Sequence, residues 1–254
     1  MDVVLERSTG GPTLDAAIAH ALLLRAARGE LPATLRLYRP APTVAFGRLD
    51  ALREGYGAAA QAALHHGFTP VLRGPGGHGA AYDERTLVFD LVTPAPSALV
   101  GLQELFRETS ASLARELGAL GVDARVGAVP GEYCRGDYSV GARGRVKLIG
   151  TAQRRIRGAA LLGGFLTFGG AARLRAVLAD VYAALELEWD PRSLGALEDE
   201  LPGATIADAE RAIVTALAPV DEAGTPALAG LDDTTRALAA ELEPRHAVIP
   251  APRS

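Results

Sequence analysis

Apolar positions recur along this chain with two periods, and the places where one gives way to the other predict most of its elements. The run 16–28 is Ala/Leu-rich at helical spacing, with Thr13 as its cap, Asp15 in its first turn and Gly29 just past its end. Strands are predicted at 35–38, where Leu35-Arg36-Leu37-Tyr38 alternates, and at 43–46, on either side of the turn Pro40-Ala41-Pro42. A second helix covers 52–66 and stops at Gly67. Residues 69–73 then lead into Gly74-Pro75-Gly76-Gly77-His78-Gly79, a loop that no regular element tolerates.

Further on, 88–92 reads as a strand, 99–120 as a long amphipathic helix and 124–126 as a strand. Tyr138-Ser139-Val140 and 146–150 form a hairpin about a Gly/Arg turn at 141–144. The apolar, Gly-broken run 159–168 predicts a buried strand with close backbone approaches. Three Ala/Leu/Glu helices follow near 171–187, 205–217 and 232–242. Helices alternating with hairpins predict an α+β fold, with mixed or antiparallel sheets flanked by helices. The expected division is a catalytic domain over 1–170 and a C-terminal helical extension, 171–254, packed on it.

Composition narrows the class. With 254 residues, 48% apolar and 22% charged, the chain has the material for a large core. A net charge of −4 supplies no basic field for nucleic acid, and the arginines at Arg154, Arg155 and Arg157 are only a local patch. The single cysteine allows no internal disulfide, the opening residues carry Asp2, Glu6 and Arg7, and no stretch approaches the roughly 20 apolar residues of a membrane-spanning helix. The expectation is a cytoplasmic protein without a membrane.

The chemistry-bearing stretch is 131–158, which holds Cys134 between Tyr133 and Arg135 on a Gly-rich loop. A lone cysteine is either a small buried hydrophobe or a nucleophile, and a neighbouring cation favours its thiolate. Lys147 stands between Val146 and Leu148, so its ammonium either snorkels to water or meets a specific acceptor. Gly76 and Gly77 are either a plain turn or a backbone that approaches a ligand. His78 is either a solvated loop residue or a base for Cys134. His20, His65 and His66 fall on helices and His246 in the tail, with no metal-ligand spacing among the five histidines.

Three blocks in order, LRLYRPAPTVAFGRLD (35–50), LRGPGGHGAAYDERTLVFDL (72–91) and GRVKLIGTAQRRIRG (144–158), resemble the biotin/lipoate A/B protein ligase superfamily, and the agreement covers about 14–168. Tyr133-Cys134-x-Gly136-Asp137-Tyr138, followed by Lys147 and Gln153-Arg154-Arg155-x-Arg157-Gly158, is most similar to the branch that transfers octanoyl between the glycine cleavage H protein and other lipoyl-domain proteins. The resemblance implies a class II synthetase-like catalytic domain, an acyl thioester at Cys134 and Lys147 at the acyl carbonyl oxygen. It also puts Arg73, Gly76, Gly77, His78, Gly150, Thr151 and Ala152 at the substrate. Neither metal nor cofactor is implied. Lipoyl-domain proteins (the H protein, acyltransferase subunits of 2-oxoacid dehydrogenases) are the implied partners, with acyl carrier protein as a further donor. Pro75 departs from the pattern, because the family usually has Ser or Thr before the Gly pair. Two other readings stay open: an ATP- and Mg-dependent lipoate ligase that forms lipoyl-AMP, and a non-catalytic acyl-binding protein.

Overall fold

The computed structural model of the chain describes residues 1–7, 10–95, 102–218 and 227–248. In chain order it contains β1 (Asp2–Arg7), α1 (Pro12–Ala27), β2 (Thr34–Arg39), β3 (Thr43–Phe46), α2 (Tyr56–His65), β4 (Thr69–Leu72), β5 (Ala80–Tyr82) and β6 (Thr86–Ala95). There follow α3 (Leu102–Ala119), β7 (Ala124–Val126), β8 (Val140–Ala142), β9 (Val146–Ile156), β10 (Gly158–Thr167), α4 (Ala171–Ala184), α5 (Leu197–Glu200), α6 (Ile206–Leu217), β11 (Leu228–Ala229) and α7 (Asp233–Leu242).

Eight strands form a mixed sheet in the order β11-β1-β2-β6-β10-β9-β8-β7, and three form a second in the order β4-β3-β5. This is the α+β arrangement that the alternation predicts. β2 and β3, which flank the Pro-Ala-Pro turn, belong to different sheets.

Alternation gives the large sheet two unlike faces. Leu35, Leu37, Phe89, Leu91, Leu162 and Leu166 pack with Leu113 and Leu117 of α3 and with Ile213 and Leu217 of α6. On the other face the register aligns Arg36, Asp90, Gly163 and Ala152 in one row and Tyr38, Val88, Phe165 and Gly150 in the next. α1 covers one end of this face through Ile18, Leu22 and Leu23 against Val92, Ala159 and Leu161. The small sheet, α2 and α4 cover the other through Phe46, Ala60, Leu174 and Val177 against Tyr38, Val88 and Phe165. All three clusters draw on residues from both sides of position 170, with Leu174, Ile213 and Ala239 among them.

Several expected boundaries move. Thr13 is not the cap of α1: Gly11 is, Pro12 takes the first turn, and Thr13 Oγ1 donates to Glu243 Oε1 at 2.6 Å. Proline suits that place because its fixed φ is already helical and it has no N–H to satisfy. The second helix begins at Tyr56 rather than at 52, and the expected helix over 99–120 is described only from Leu102. The hairpin is tighter than expected, β8 starting at Val140, because Tyr138 and Ser139 stay in the preceding loop. β9 continues past 150 to Ile156 and pairs with β10 from Ile149 to Ile156.

Candidate active site

Cys134 sits on the loop between β7 and β8 with φ of 43°, a left-handed conformation that costs a non-glycine residue energy and persists only where its surroundings enforce it. Both peptide groups around it are held. Its N–H donates to the Tyr182 hydroxyl at 2.7 Å, and that hydroxyl donates to the Gly79 carbonyl at 3.0 Å. Burial pushes the Tyr182 phenol well above its ordinary range, so it stays a neutral hydroxyl able to do both. The Cys134 carbonyl accepts from Lys147 Nζ at 2.9 Å.

Lys147 is buried, and all three of its N–H groups have acceptors: the Cys134 carbonyl, the Tyr133 carbonyl at 3.1 Å and Glu132 Oε2 at 2.8 Å. Its ammonium also stands 4.7 Å from the centre of the Tyr133 ring. Of the two readings of this lysine, the structure gives the specific acceptor.

The sulfur meets the loop 73–79. Sγ accepts from the His78 main-chain N–H at 3.2 Å and from Arg73 Nη2 at 3.6 Å, while the same Arg73 nitrogen donates to the His78 carbonyl at 2.8 Å. The His78 ring makes a different contact: its Nδ1 lies 2.7 Å from Oδ1 of the buried Asp50, whose Oδ2 accepts the Gly47 N–H at 2.9 Å. His78 therefore reaches the sulfur through its backbone. Gly77, with φ of 90°, lies directly under the thiol, whereas Gly76 faces open space.

From Cys134 a slot runs between α1 and the sheet, with about 810 Å³ of empty space, part of it open to solvent. Ala16, Ala19, Leu23, Val88, Leu161 and Phe165 give it apolar walls, and Arg73, Lys147, Gly150, Thr151 and Ala152 line it with Cys134. Neither Gly76 nor Gly77 is in the lining; from their loop Gly74 and Pro75 are.

One wall is charged. Arg36, fully buried, pairs with Glu6 at 3.0 Å, Asp15 at 2.7 Å and Asp90 at 3.6 Å, so one cation faces three carboxylates. Asp90 has the longest of the three contacts, its Oδ2 accepting no hydrogen bond among the described residues, and it lines the slot. Burial pushes its carboxyl up to about 6, against the opposing pull of Arg36. His20 lines the slot too. His246 Nδ1 donates to the Leu72 carbonyl at 2.7 Å, so its Nε2 is free to accept from His20 Nδ1 at 3.1 Å. Burial and then Arg154 lower His20 to about 4, which keeps it neutral.

Asp50, Glu132, Tyr182 and His20 are site residues that sequence reasoning did not pick out. Asp50 lies in the first family-like block and Glu132 two residues before the cysteine, so both carried a positional signal. Tyr182 and His20 carried none, since each reaches the site from a helix distant in sequence. Among the described residues no group of three His, Cys, Asp or Glu side chains is placed to hold a metal, and no helix is long and apolar enough to cross a membrane.

The chain is similar to known proteins in sequence and in fold. An octanoyl-[GcvH]:protein N-octanoyltransferase of Geobacillus kaustophilus is 28% identical over 179 residues, 69% of this chain and 63% of that protein. The enzyme of the same name from Exiguobacterium sibiricum is 36% identical over 124 residues, 48% of this chain and 44% of its own. The chain thus spans less than two thirds of the length of either. In fold, it superposes on the bipartite lipoate protein ligase of Thermoplasma acidophilum with a TM-score of 0.70 at 18% identity, covering 96% of this chain and 92% of that one. Residues 12–218 match the lipoyl protein ligase A/B catalytic domain, and with most of its length inside that match the chain belongs to this family.

Proposed function

We propose that the protein is an octanoyl or lipoyl transferase that carries a medium-chain acyl group on Cys134 and delivers it to the lysine of a lipoyl-domain protein. The observation that carries this reading is the surroundings of the sulfur: a backbone N–H and a guanidinium donate to it at the mouth of an apolar slot. These donors fix the sulfur at the mouth of the slot, where a nucleophile that receives an acyl group must stand.

In the first half-reaction the sulfur attacks the acyl carbonyl. The S–C bond forms, the bond to the donor breaks (the amide C–N bond of the H protein's lysine or the thioester C–S bond of acyl carrier protein), and the proton given up by the thiol ends on the departing amine or thiol. In the second, the acceptor's neutral amine attacks the thioester, a new amide forms and the proton returns to sulfur. In both, negative charge develops on the acyl oxygen. Lys147 is the proposed partner of that oxygen, exchanging its longest contact, the Tyr133 carbonyl at 3.1 Å, for it. The acyl chain lies along Leu161 and Phe165, with Gly150, Thr151 and Ala152 beside it.

The reading needs no cofactor. Its donors are the glycine cleavage H protein or acyl carrier protein, its acceptors include acyltransferase subunits of 2-oxoacid dehydrogenases, and its compartment is a reducing cytoplasm where the thiol stays free. Residues 1–170 are the catalytic part, braced by the helical extension 171–254 through Tyr182.

The test is transfer from octanoylated H protein to an unmodified lipoyl domain, with and without ATP, read by intact mass of both domains. The proposal expects transfer without ATP. Modification only from free octanoate or lipoate with ATP and Mg would make the protein a ligase, and tight binding without turnover would make it a carrier.

A further inference from the structure

We propose that Glu132 is a positioning residue for the acyl-transfer step, holding the Lys147 ammonium and the Cys134 loop as one rigid unit. The inference rests on the transferase reading and deepens it.

The Glu132 side chain is wholly inaccessible and spends every contact on this unit. Oε1 accepts the N–H groups of Val129 at 3.0 Å and Gly136 at 3.4 Å, one on each side of the cysteine. Oε2 accepts the Ser139 hydroxyl at 2.7 Å and Lys147 Nζ at 2.8 Å. One carboxylate therefore ties both limbs of the loop to the ammonium, whose two other donors end on the carbonyls of Tyr133 and Cys134.

A carboxylate this buried is costly unless paired, and Lys147 is the cation beside it, at 2.8 Å. That cation also lines the slot. When charge develops on the acyl oxygen the ammonium must turn one N–H toward it. The bond to Glu132 fixes where the nitrogen stands while it does so. Without that bond the ammonium would follow the new charge, drawing the Cys134 carbonyl it still holds, and with it the left-handed Cys134, out of place.

The test compares Glu132→Gln in wild-type and Lys147→Met backgrounds. Glutamine keeps an acceptor for Val129 and Gly136 but turns an N–H₂ toward Lys147 and Ser139. The expected result is a kcat lower by on the order of a hundredfold, with KM for the octanoylated donor within about twofold, as for loss of an interaction made only in the transition state. In the Lys147→Met background the same change should cost less than about threefold, because its effect passes through the lysine. Equal losses in both backgrounds, or KM rising in step with a fall in kcat, would overturn the proposal. If Glu132→Gln fails to fold by circular dichroism, Glu132→Asp takes its place: it keeps the charge but withdraws it by one methylene, and an unchanged kcat there overturns the proposal as well. Wild-type protein is first checked for an octanoyl adduct on Cys134. Its absence removes the transferase reading and this proposal together, whereas an adduct with equal losses in both backgrounds removes this proposal alone.

Discussion

A Cβ added to Gly77 would stand 2.6 Å from Sγ of Cys134 and 2.8 Å from Nη2 of Arg73, inside the volume those groups occupy. The glycine is there for the thiol, and its φ of 90° would strain any side chain besides. Gly77→Ala should therefore lower transfer for hexanoyl and octanoyl donors by the same factor. A change in their ratio would show that the chain, not the sulfur, lies over this residue.

Gly163 is where chain length should respond. A Cβ there meets Asp90 Oδ1 and the Pro75 ring at 3.5 Å, ordinary contact distances, and it would enter the slot. At roughly 0.8 kcal/mol per methylene, Gly163→Ala should shift the preference toward hexanoyl by about fourfold. The ratio of kcat/KM for the two donors decides it, and an unchanged ratio would move the acyl chain away from this wall.

Lys147→Ala should be nearly inactive, with a loss on the order of a hundred- to a thousandfold in kcat, as for removal of one well-placed charge stabiliser. Lys147→Arg should also be poor, because a planar fork cannot reproduce three contacts that converge on one nitrogen. Steady-state rates of the two variants, with circular dichroism to confirm folding, check this. Near-normal turnover in either would reduce Lys147 to a brace for the loop.

How much of this was legible beforehand follows from where each residue's partners lie. The helices, the Gly-rich loop and the Cys134 and Lys147 hairpin were readable because their signals are local. β1 was not, since it buries Val3 and Val4 side by side and hides Glu6 against Arg36, a pairing that no alternation reveals. The roles of Gly77, Asp50 and Glu132 depend on what stands opposite them, and those partners are 57, 28 and 15 residues away. The slot is assembled from α1, β6, β9 and β10 together, elements far apart in the sequence, so its walls could not be read from any one stretch.

Asp90 gives a pH dependence with a definite sign. Its carboxyl is raised from 3.8 to about 6, so the folded protein holds this proton more tightly than the unfolded chain does. The group's contribution to stability is full below 3.8 and is lost as pH rises through about 6. Asp90→Asn leaves Arg36 with Glu6 and Asp15 and removes the dependence. Relative to wild type, the variant should gain on the order of 3 kcal/mol between the two ends of this window, measured by urea unfolding on either side of it. A constant difference would mean that the carboxylate is satisfied when charged.

The central claim is that the acyl group passes through sulfur, and intact-mass spectrometry tests it most directly. Wild-type protein incubated with octanoylated H protein, in the absence of ATP, should gain one octanoyl group that hydroxylamine removes. Cys134→Ala, folded by circular dichroism, should gain none and transfer none. A Cys134→Ala variant that still moves octanoyl to a lipoyl domain at the wild-type rate would contradict the account.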